Sequence, residues 1–196
     1  MSTKLLQLLA LLLIAVTPCA FGINMVQNPD FDADTGGWTL TPQSGGSAYR
    51  DCCFGSPDTG TLRLDAFSDG AIGEASQCVD IHKWTLTGID FALRYFPNAP
   101  FGFHQFKLDI YDAAGCGGNL LDTLYPNEGA AVAVGGTPAT GWLEAGDYGY
   151  ALPVGAMSAR LDVSAAGTAA GSASYFVDHV QVGPLDVIFV DDFDGD

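Results

Sequence analysis

The segment that decides the fold reads Ile89-Asp-Phe-Ala-Leu-Arg-Tyr95, and a second segment, Phe106-Lys-Leu-Asp-Ile-Tyr111, follows it. Apolar side chains occupy alternate positions in both segments. Because successive side chains of an extended strand point to opposite faces, each segment predicts a β-strand with one buried face. The same alternation occurs in residues 61–66, 78–82, 160–163 and 174–182.

Turns rich in Gly, Pro and Asn separate these segments, and helical periodicity is nearly absent. Short strands at this spacing predict an all-β fold, an antiparallel two-sheet jelly-roll sandwich. The alternation also predicts the residues that face the core: Leu62, Leu64, Val79, Ile81, Ile89, Phe91, Leu93, Phe106, Leu108 and Ile110. The polar and aromatic residues between them face the other way: Arg63, Asp65, Asp80, His82, Trp84, Arg94, Asp109 and Tyr111.

The composition is strongly acidic. The chain has 23 Asp and Glu residues against 7 Lys and Arg, for a formal net charge of −16. Proteins that bind nucleic acid by neutralising phosphates need many cations, so this function class is excluded, and an anionic membrane surface is a poor partner. Apolar residues make up 48% of the chain, which favours a folded domain over a disordered one.

Residues 1–22 predict a secretory signal peptide that precedes the sandwich. A lysine is followed by an apolar stretch, Leu5 to Val16, that is too short to span a bilayer. Small residues near its end predict cleavage after Gly22. Cleavage after Ala20, a lipoprotein cut before Cys19 and an uncleaved anchor helix are alternatives. We therefore expect a protein that is secreted or displayed at the cell surface, with no membrane span.

The cysteines predict disulfide bonds in this exported protein. Cys19 lies in the predicted leader, which leaves the even set Cys52, Cys53, Cys78 and Cys116. Because a bond between neighbouring cysteines would be strained, we expect Cys52 and Cys53 each to pair with Cys78 or Cys116. A zinc site is the weaker alternative, since the chain lacks a Cys-x-x-Cys pair and its histidines are scattered.

Four motifs resemble, in the expected order, landmarks of galactose-binding-like jelly rolls, the fold of carbohydrate-binding modules of bacterial glycoside hydrolases. They are Asn28-Pro-Asp-Phe-Asp32 with Gly37-Trp38, Gly60-Thr-Leu-Arg-Leu64, Ala75-Ser-Gln-Cys-Val79 and Tyr175-Phe-Val-Asp-His-Val180. The resemblance implies one jelly-roll domain over residues 23–183. It also implies a non-catalytic module that binds carbohydrate.

The resemblance further implies a structural calcium ion as cofactor. Its ligands would be the acid of the first strand and the aspartate of the last, which are Asp32 and Asp178 here. Calcium prefers several hard oxygen ligands, and an ion shared by these carboxylates would join the two ends of the domain. The alternatives are that Asp32 stabilises a turn and that Asp178 is a solvent-facing strand residue.

A sugar site needs aromatic side chains that stack on the apolar face of a pyranose, with polar neighbours for its hydroxyls. The candidates are Trp84, Arg94, Asp109, Tyr111 and Trp142, with Arg94 and Asp109 adjacent if their strands form a hairpin. The expected partner is a polysaccharide or a cell-surface glycan. Alternatively the tryptophans fill the core and Arg94 forms a cross-strand ion pair with Asp109. The aromatic segment 96–104 is a further possible ligand-binding loop.

No motif predicts catalysis, since the sequence has no Gly-x-Ser-x-Gly, His-Glu-x-x-His or phosphate-binding loop. A structural or adhesive surface protein without a small ligand is the alternative function, and a secreted hydrolase is the third. Residues 184–196 form an acidic C-terminal tail that resembles the ending of many exported bacterial proteins.

Overall fold

A computed structural model describes residues 24–55, 60–81, 87–98, 102–126, 132–133 and 141–184. Almost all of the regular structure in these residues is β-strand. The strands are β1 (Thr39–Leu40), β2 (Ser47–Asp51), β3 (Thr61–Ala66), β4 (Ile72–Asp80), β5 (Gly88–Pro97), β6 (Phe103–Tyr111), β7 (Leu120–Leu124), β8 (Val132–Ala133), β9 (Leu143–Ala151), β10 (Ser158–Ala166) and β11 (Ala173–Pro184).

The strands form two antiparallel sheets. Sheet A has the order β1-β4-β10-β6-β7, with β8 paired to β6, and sheet B has the order β2-β3-β11-β5-β9. Strands that are far apart in the chain are neighbours in both sheets, as β3 is with β11 and β4 with β10. The predicted all-β, antiparallel two-sheet sandwich is confirmed.

The core lies between the two sheets. All ten residues that alternation predicts to face inward are buried, with at most 6% of any of them exposed. Tyr175 and Val177 of β11 and Leu161 and Val163 of β10 complete this apolar layer from the other strands. The prediction holds because only one face of each strand can be covered by the opposing sheet.

The sequence left open whether β5 and β6 pair as a hairpin, and in the structure they do not. The two strands follow each other in the chain but lie in different sheets, with β5 between β11 and β9 and β6 between β10 and β7. Each strand has one apolar face, and both apolar faces are buried when the two strands lie in opposite sheets and face each other across the core. Alternation defines which face of a strand is buried, but it does not define which strand lies beside it.

The first described segment follows the last strand. The backbone amide of Met25 donates to the carbonyl of Val182 at 2.7 Å, and that of Val180 donates to the carbonyl of Pro29 at 3.1 Å. Phe31 and Trp38 lie in the core with ring centroids 5.2 Å apart. The N- and C-terminal parts of the described chain are therefore held together by hydrogen bonds and apolar contacts.

The structure contradicts both predicted disulfide pairings, those of Cys52 and of Cys53. Cys78 of β4 is bonded to Cys116, with their Cα atoms 5.9 Å apart. Cys52 and Cys53 therefore do not pair with Cys78 or Cys116, and both are exposed at the end of β2. Cys78 lies on sheet A and Cys116 in the turn after β6, whereas Cys52 and Cys53 follow β2, the edge strand of sheet B.

The predicted leader, residues 1–22, lies outside the described residues, as does the acidic tail after Pro184. The described part of the chain contains no helix long and apolar enough to cross a membrane.

Candidate functional site

The outer face of sheet B carries a row of side chains at one register. Tyr49 of β2 lies opposite Arg63 of β3, Arg63 lies opposite Phe176 of β11, and Phe176 lies opposite Phe96 of β5. Directly opposed residues of neighbouring strands point to the same face. Because the residues on either side of Arg63 are buried in the core, this row points away from the core.

Aromatic rings extend the row at its β5 end. Phe54, which follows β2 in the chain, lies over Phe176 with ring centroids 4.6 Å apart, and its ring is 5.2 Å from that of Phe96. Trp142, just before β9, stacks on Phe54 at 5.5 Å with an angle of 27° between the planes. We call Phe54, Phe96, Trp142 and Phe176 the aromatic face.

Polar groups border the aromatic face on the β2 side. The guanidinium of Arg63 lies 5.1 Å from the ring centre of Phe176 and 5.7 Å from that of Tyr49. Its Nε donates to Asp65 at 3.0 Å, and Asp51 lies 3.6 Å from another of its nitrogens. A cation held over two aromatic rings in this way is fixed by both charge and stacking.

Asp65 positions this border. Asp65 is 1% exposed. Its carboxylate accepts hydrogen bonds from Arg63, from the hydroxyl of Tyr49 at 3.0 Å and from the hydroxyl of Ser174 at 2.7 Å. Burial and the nearby Asp65 carboxylate raise the pKa of Tyr49 above its usual value. Tyr49 therefore stays a neutral phenol over the physiological range, with 39% of the residue exposed.

A second polar row crosses the same face beside the aromatic one. Asp178 of β11 lies opposite Arg94 of β5, which lies opposite Glu144 of β9. The hydroxyl of Tyr148 donates to Glu144 at 2.5 Å, and Tyr148 is 52% exposed. Sheet B thus presents rings along one line and charged groups along the next.

This arrangement suits a ligand with an apolar face and a polar rim. Phe54, Phe96 and Trp142 are each partly exposed, so their rings can contact a ligand, whereas Phe176 is 5% exposed and supports them from below. Carboxylates, a phenol and guanidinium groups lie within the neighbouring rows. The pyranose rings of sugars combine an apolar face with hydroxyls around the edge.

The structure divides the sugar-site residues predicted from the sequence between two faces. Trp142 and Arg94 lie on the outer face of sheet B. Asp109 and Tyr111 lie on β6, in sheet A, so the expected contact between Arg94 and Asp109 is not formed across a hairpin. Trp84 falls outside the described residues.

Asp109 belongs to a network on the outer face of sheet A. It accepts from Lys107 at 2.7 Å, from Thr123 at 2.7 Å and from Arg160 at 3.1 Å. Burial alone would raise the pKa of Asp109, but these hydrogen bonds and the two cations lower it below its usual value. Arg160 also lies over the ring of Tyr111, at 5.8 Å. Both carboxylate oxygens of Asp109 therefore accept hydrogen bonds from within the protein.

The residues predicted to hold calcium have other contacts. The guanidinium of Arg50 donates to the backbone carbonyls of Phe31 and Asp32, where the resemblance places calcium ligands. Asp178 is 2% exposed, and one of its carboxylate oxygens accepts from the amide of His179 at 2.8 Å. Among the described residues no group of three or more His, Cys, Asp or Glu side chains is placed to hold a metal. Calcium bound by Asp32 and Asp178 stays a prediction of the resemblance.

Sequence reasoning identified Trp142 and placed Phe96 in a possible ligand-binding segment, but it did not identify Phe54 or Phe176 as site residues. Arg63 was placed on the outward side by alternation, but nothing in the sequence aligns it with Phe176, which is more than a hundred positions away. Phe96 was assigned to a loop, whereas it is part of β5. Phe54 follows a strand without belonging to one, so alternation says nothing about it.

Neither a protein-family model nor a curated protein matches the sequence. Solved structures do match the fold. TmCBM61, solved in complex with β-1,4-galactotriose, superposes with a TM-score of 0.57 at 15% identity, over 83% of this chain and 99% of that one. A xylan-binding domain of carbohydrate-binding module family 22 superposes with a TM-score of 0.53 at 12% identity, over 82% and 95%.

A third match is the enzymatically active domain of tailspike protein 4 of bacteriophage CBA120. It has a TM-score of 0.58 at 16% identity and covers 83% of this chain, which spans only 22% of the tailspike chain. At these identities the likeness concerns the fold. The chain therefore has the β-sandwich fold found in carbohydrate-binding modules, as the sequence motifs predict.

Proposed function

We propose that this protein is a secreted or surface-exposed, non-catalytic module that binds a polysaccharide through the outer face of sheet B. The observation that carries the proposal is the row of Tyr49, Arg63, Phe176 and Phe96, which Phe54 and Trp142 extend into an aromatic platform. The fold it shares with TmCBM61 and the xylan-binding domain supports the same function.

The ligand would bind by stacking and by hydrogen bonds from the neighbouring row. A sugar ring placed on Trp142 and Phe54 buries its apolar face, and burial of apolar surface contributes roughly 25 cal/mol per Å². Tyr49 and Arg63 on one side, and Arg94 with Glu144 on the other, can then donate to or accept from its hydroxyls. Aromatic rings that are already held in place by packing lose little conformational entropy when a sugar binds, which favours their role as a stacking surface.

The charge of the protein points to an uncharged glycan. The formal net charge is −16, and the carboxylates of Asp51, Asp65, Asp178 and Glu144 lie on the proposed binding face. An acidic polysaccharide would be repelled by this charge as it approaches. Neutral xylan and β-1,4-galactan are therefore the first ligands to test.

The experiment is a depletion assay of the full-length protein with insoluble xylan, galactan, cellulose and an acidic polysaccharide, compared with Trp142→Ala. We expect the wild type to bind at least one neutral polysaccharide. The Trp142→Ala variant should bind it at least about tenfold more weakly, which corresponds to roughly 1.4 kcal/mol. Circular dichroism verifies that the variant keeps the wild-type fold.

Tyr111→Ala is the matched control, because Tyr111 is a partly buried aromatic residue on the outer face of sheet A. We expect it to bind like the wild type. Equal binding by Trp142→Ala and wild type, with a loss in Tyr111→Ala, would instead place the ligand on sheet A. If the wild type binds none of the glycans on an array, the alternative of a structural or adhesive surface protein is favoured, whereas release of soluble sugars would indicate a hydrolase.

A further inference from the structure

Among the described residues, two cysteines remain after the Cys78–Cys116 bond is assigned. Cys52 and Cys53 are adjacent in the chain and exposed, directly after the last residue of β2. Their sulfur atoms lie 2.6 Å apart, side by side on the same side of the turn. The two thiols are therefore close enough to react with each other.

The local backbone holds both cysteines at this turn. The amide of Cys53 donates to the side chain of Asp51 at 3.0 Å, and the carbonyl of Phe54 accepts from the amide of Gly60 at 3.2 Å. Phe54 itself is packed against Phe176. The two thiols are thus presented together between strand β2 and the aromatic face.

We propose that Cys52 and Cys53 are oxidised to a vicinal disulfide, which closes a ring through the peptide bond between them. The oxidant is a low-molecular-weight disulfide such as oxidised glutathione. One cysteine thiolate attacks a sulfur of the oxidant and releases one thiol, and the second cysteine then attacks the mixed disulfide and releases the other. Two protein thiols and one small disulfide become one protein disulfide and two small thiols.

The Cys52–Cys53 disulfide is more easily reduced than the Cys78–Cys116 disulfide. Consecutive Cα atoms are about 3.8 Å apart across a trans peptide, whereas disulfides usually join Cα atoms about 4.4–6.8 Å apart. Cys78 and Cys116, at 5.9 Å, lie within this range. Strained and exposed disulfides have higher reduction potentials, so a mild reductant opens Cys52–Cys53 first.

The ring closed by the Cys52–Cys53 disulfide also affects the aromatic face, on which the proposed function rests. Because Phe54 is the next residue, closing the ring restricts the turn that places its side chain beside Trp142 and Phe176. Binding of a glycan is then stronger in the oxidised protein than in the mildly reduced one. The thiol measurement below does not involve a glycan, so it is independent of whether the protein binds one.

The test is peptide mass spectrometry on the full-length protein. The protein is incubated with oxidised glutathione, denatured, treated with iodoacetamide without reductant and digested with trypsin. Cleavage after Arg50 and Arg63 gives peptide 51–63, which contains both cysteines and no other. We expect this peptide unalkylated and lighter than its dithiol form by two hydrogens. After low-millimolar dithiothreitol it should carry two alkyl groups, while the Cys78 and Cys116 peptides stay linked.

Cys52→Ser is the matched control, since it keeps the Cys78–Cys116 bond and leaves one thiol at the turn. Its peptide should carry one glutathione, which shows that the oxidant reaches this turn. A wild-type peptide that is doubly alkylated after oxidation, carries two glutathiones or is linked to a second chain would overturn the proposal. Reduction of both disulfides at the same dithiothreitol concentration would overturn the predicted order.

Discussion

His104 is a buried histidine whose titration should control stability at acid pH. It lies on the core side of β6, 6% exposed, between the rings of Tyr175 at 5.0 Å and Tyr95 at 5.2 Å. Neither of its ring nitrogens has a hydrogen-bond partner among the described residues. Burial lowers the pKa of His104 from 6.5 to about 4, because the charged ring would lose its hydration in this site.

The lowered pKa of His104 means that acidification destabilises the folded protein. Between pH 6.5 and about 4 the unfolded chain binds a proton at His104 and the folded chain does not. Acidification through this window therefore favours unfolding, and the stability that depends on neutral His104 is present above pH 6.5 and lost below it. At roughly 1.4 kcal/mol per pH unit, the loss at pH 4 is about 3 kcal/mol.

The assay is urea unfolding of wild type and His104→Phe at several pH values from 7.5 to 4. The wild type should lose about 3 kcal/mol more of its free energy of unfolding than the variant does, because phenylalanine keeps the ring but does not titrate. The carboxylates titrate in both proteins, so the difference isolates His104.

Phe106→Leu is the control for a general loss of packing. Phe106 is the next core residue on the same strand, so this change lowers stability but should keep the pH dependence of the wild type. If wild type and His104→Phe lose stability in parallel as the pH falls, the argument from the buried, unpartnered imidazole is refuted.

Two further predictions concern the ends of the domain and sheet A. Arg50→Ala removes the guanidinium that holds the carbonyls of Phe31 and Asp32, and we expect a loss of about 1–3 kcal/mol in urea unfolding. Because this guanidinium occupies those carbonyls, a chelator should leave the wild-type melting temperature unchanged, whereas a drop would establish the predicted calcium site. Asp109→Ala takes an acceptor from Arg160 and its neighbours, so it should destabilise the fold by about 2 kcal/mol and leave glycan binding intact in the depletion assay. A weakened glycan affinity in this variant would contradict the assignment of the site to sheet B.

The strands and their buried faces could be predicted because they depend on local information. Leu62 and Leu64, for example, are apolar at alternate positions, and a strand can bury only one of its faces. Cys78 was predicted to form a disulfide from the even cysteine count, which is also a property of the chain alone. The choice of Cys116 as its partner needed the fold, since it depends on which turn lies beside β4.

The candidate site was predicted only in part, for the same reason. Trp142 and Arg94 were selected for their residue types, and both lie on the outer face of sheet B. Asp109 was selected with them as an outward-facing residue that would lie beside Arg94 if β5 and β6 formed a hairpin, but the two strands lie in different sheets. Its position beside Lys107 and Arg160 makes it part of a network that stabilises sheet A.

By itself the sequence determined the all-β class, the inward face of each main strand and the strongly negative net charge. Only the tertiary structure decided that Tyr49, Arg63, Phe176 and Phe96 form one row, and that Cys52 and Cys53 take no part in the Cys78–Cys116 bond. Alternation is set by neighbours within a strand, whereas the row is set by hydrogen-bonded register between strands distant in the chain. That register depends on how both sheets close over the core.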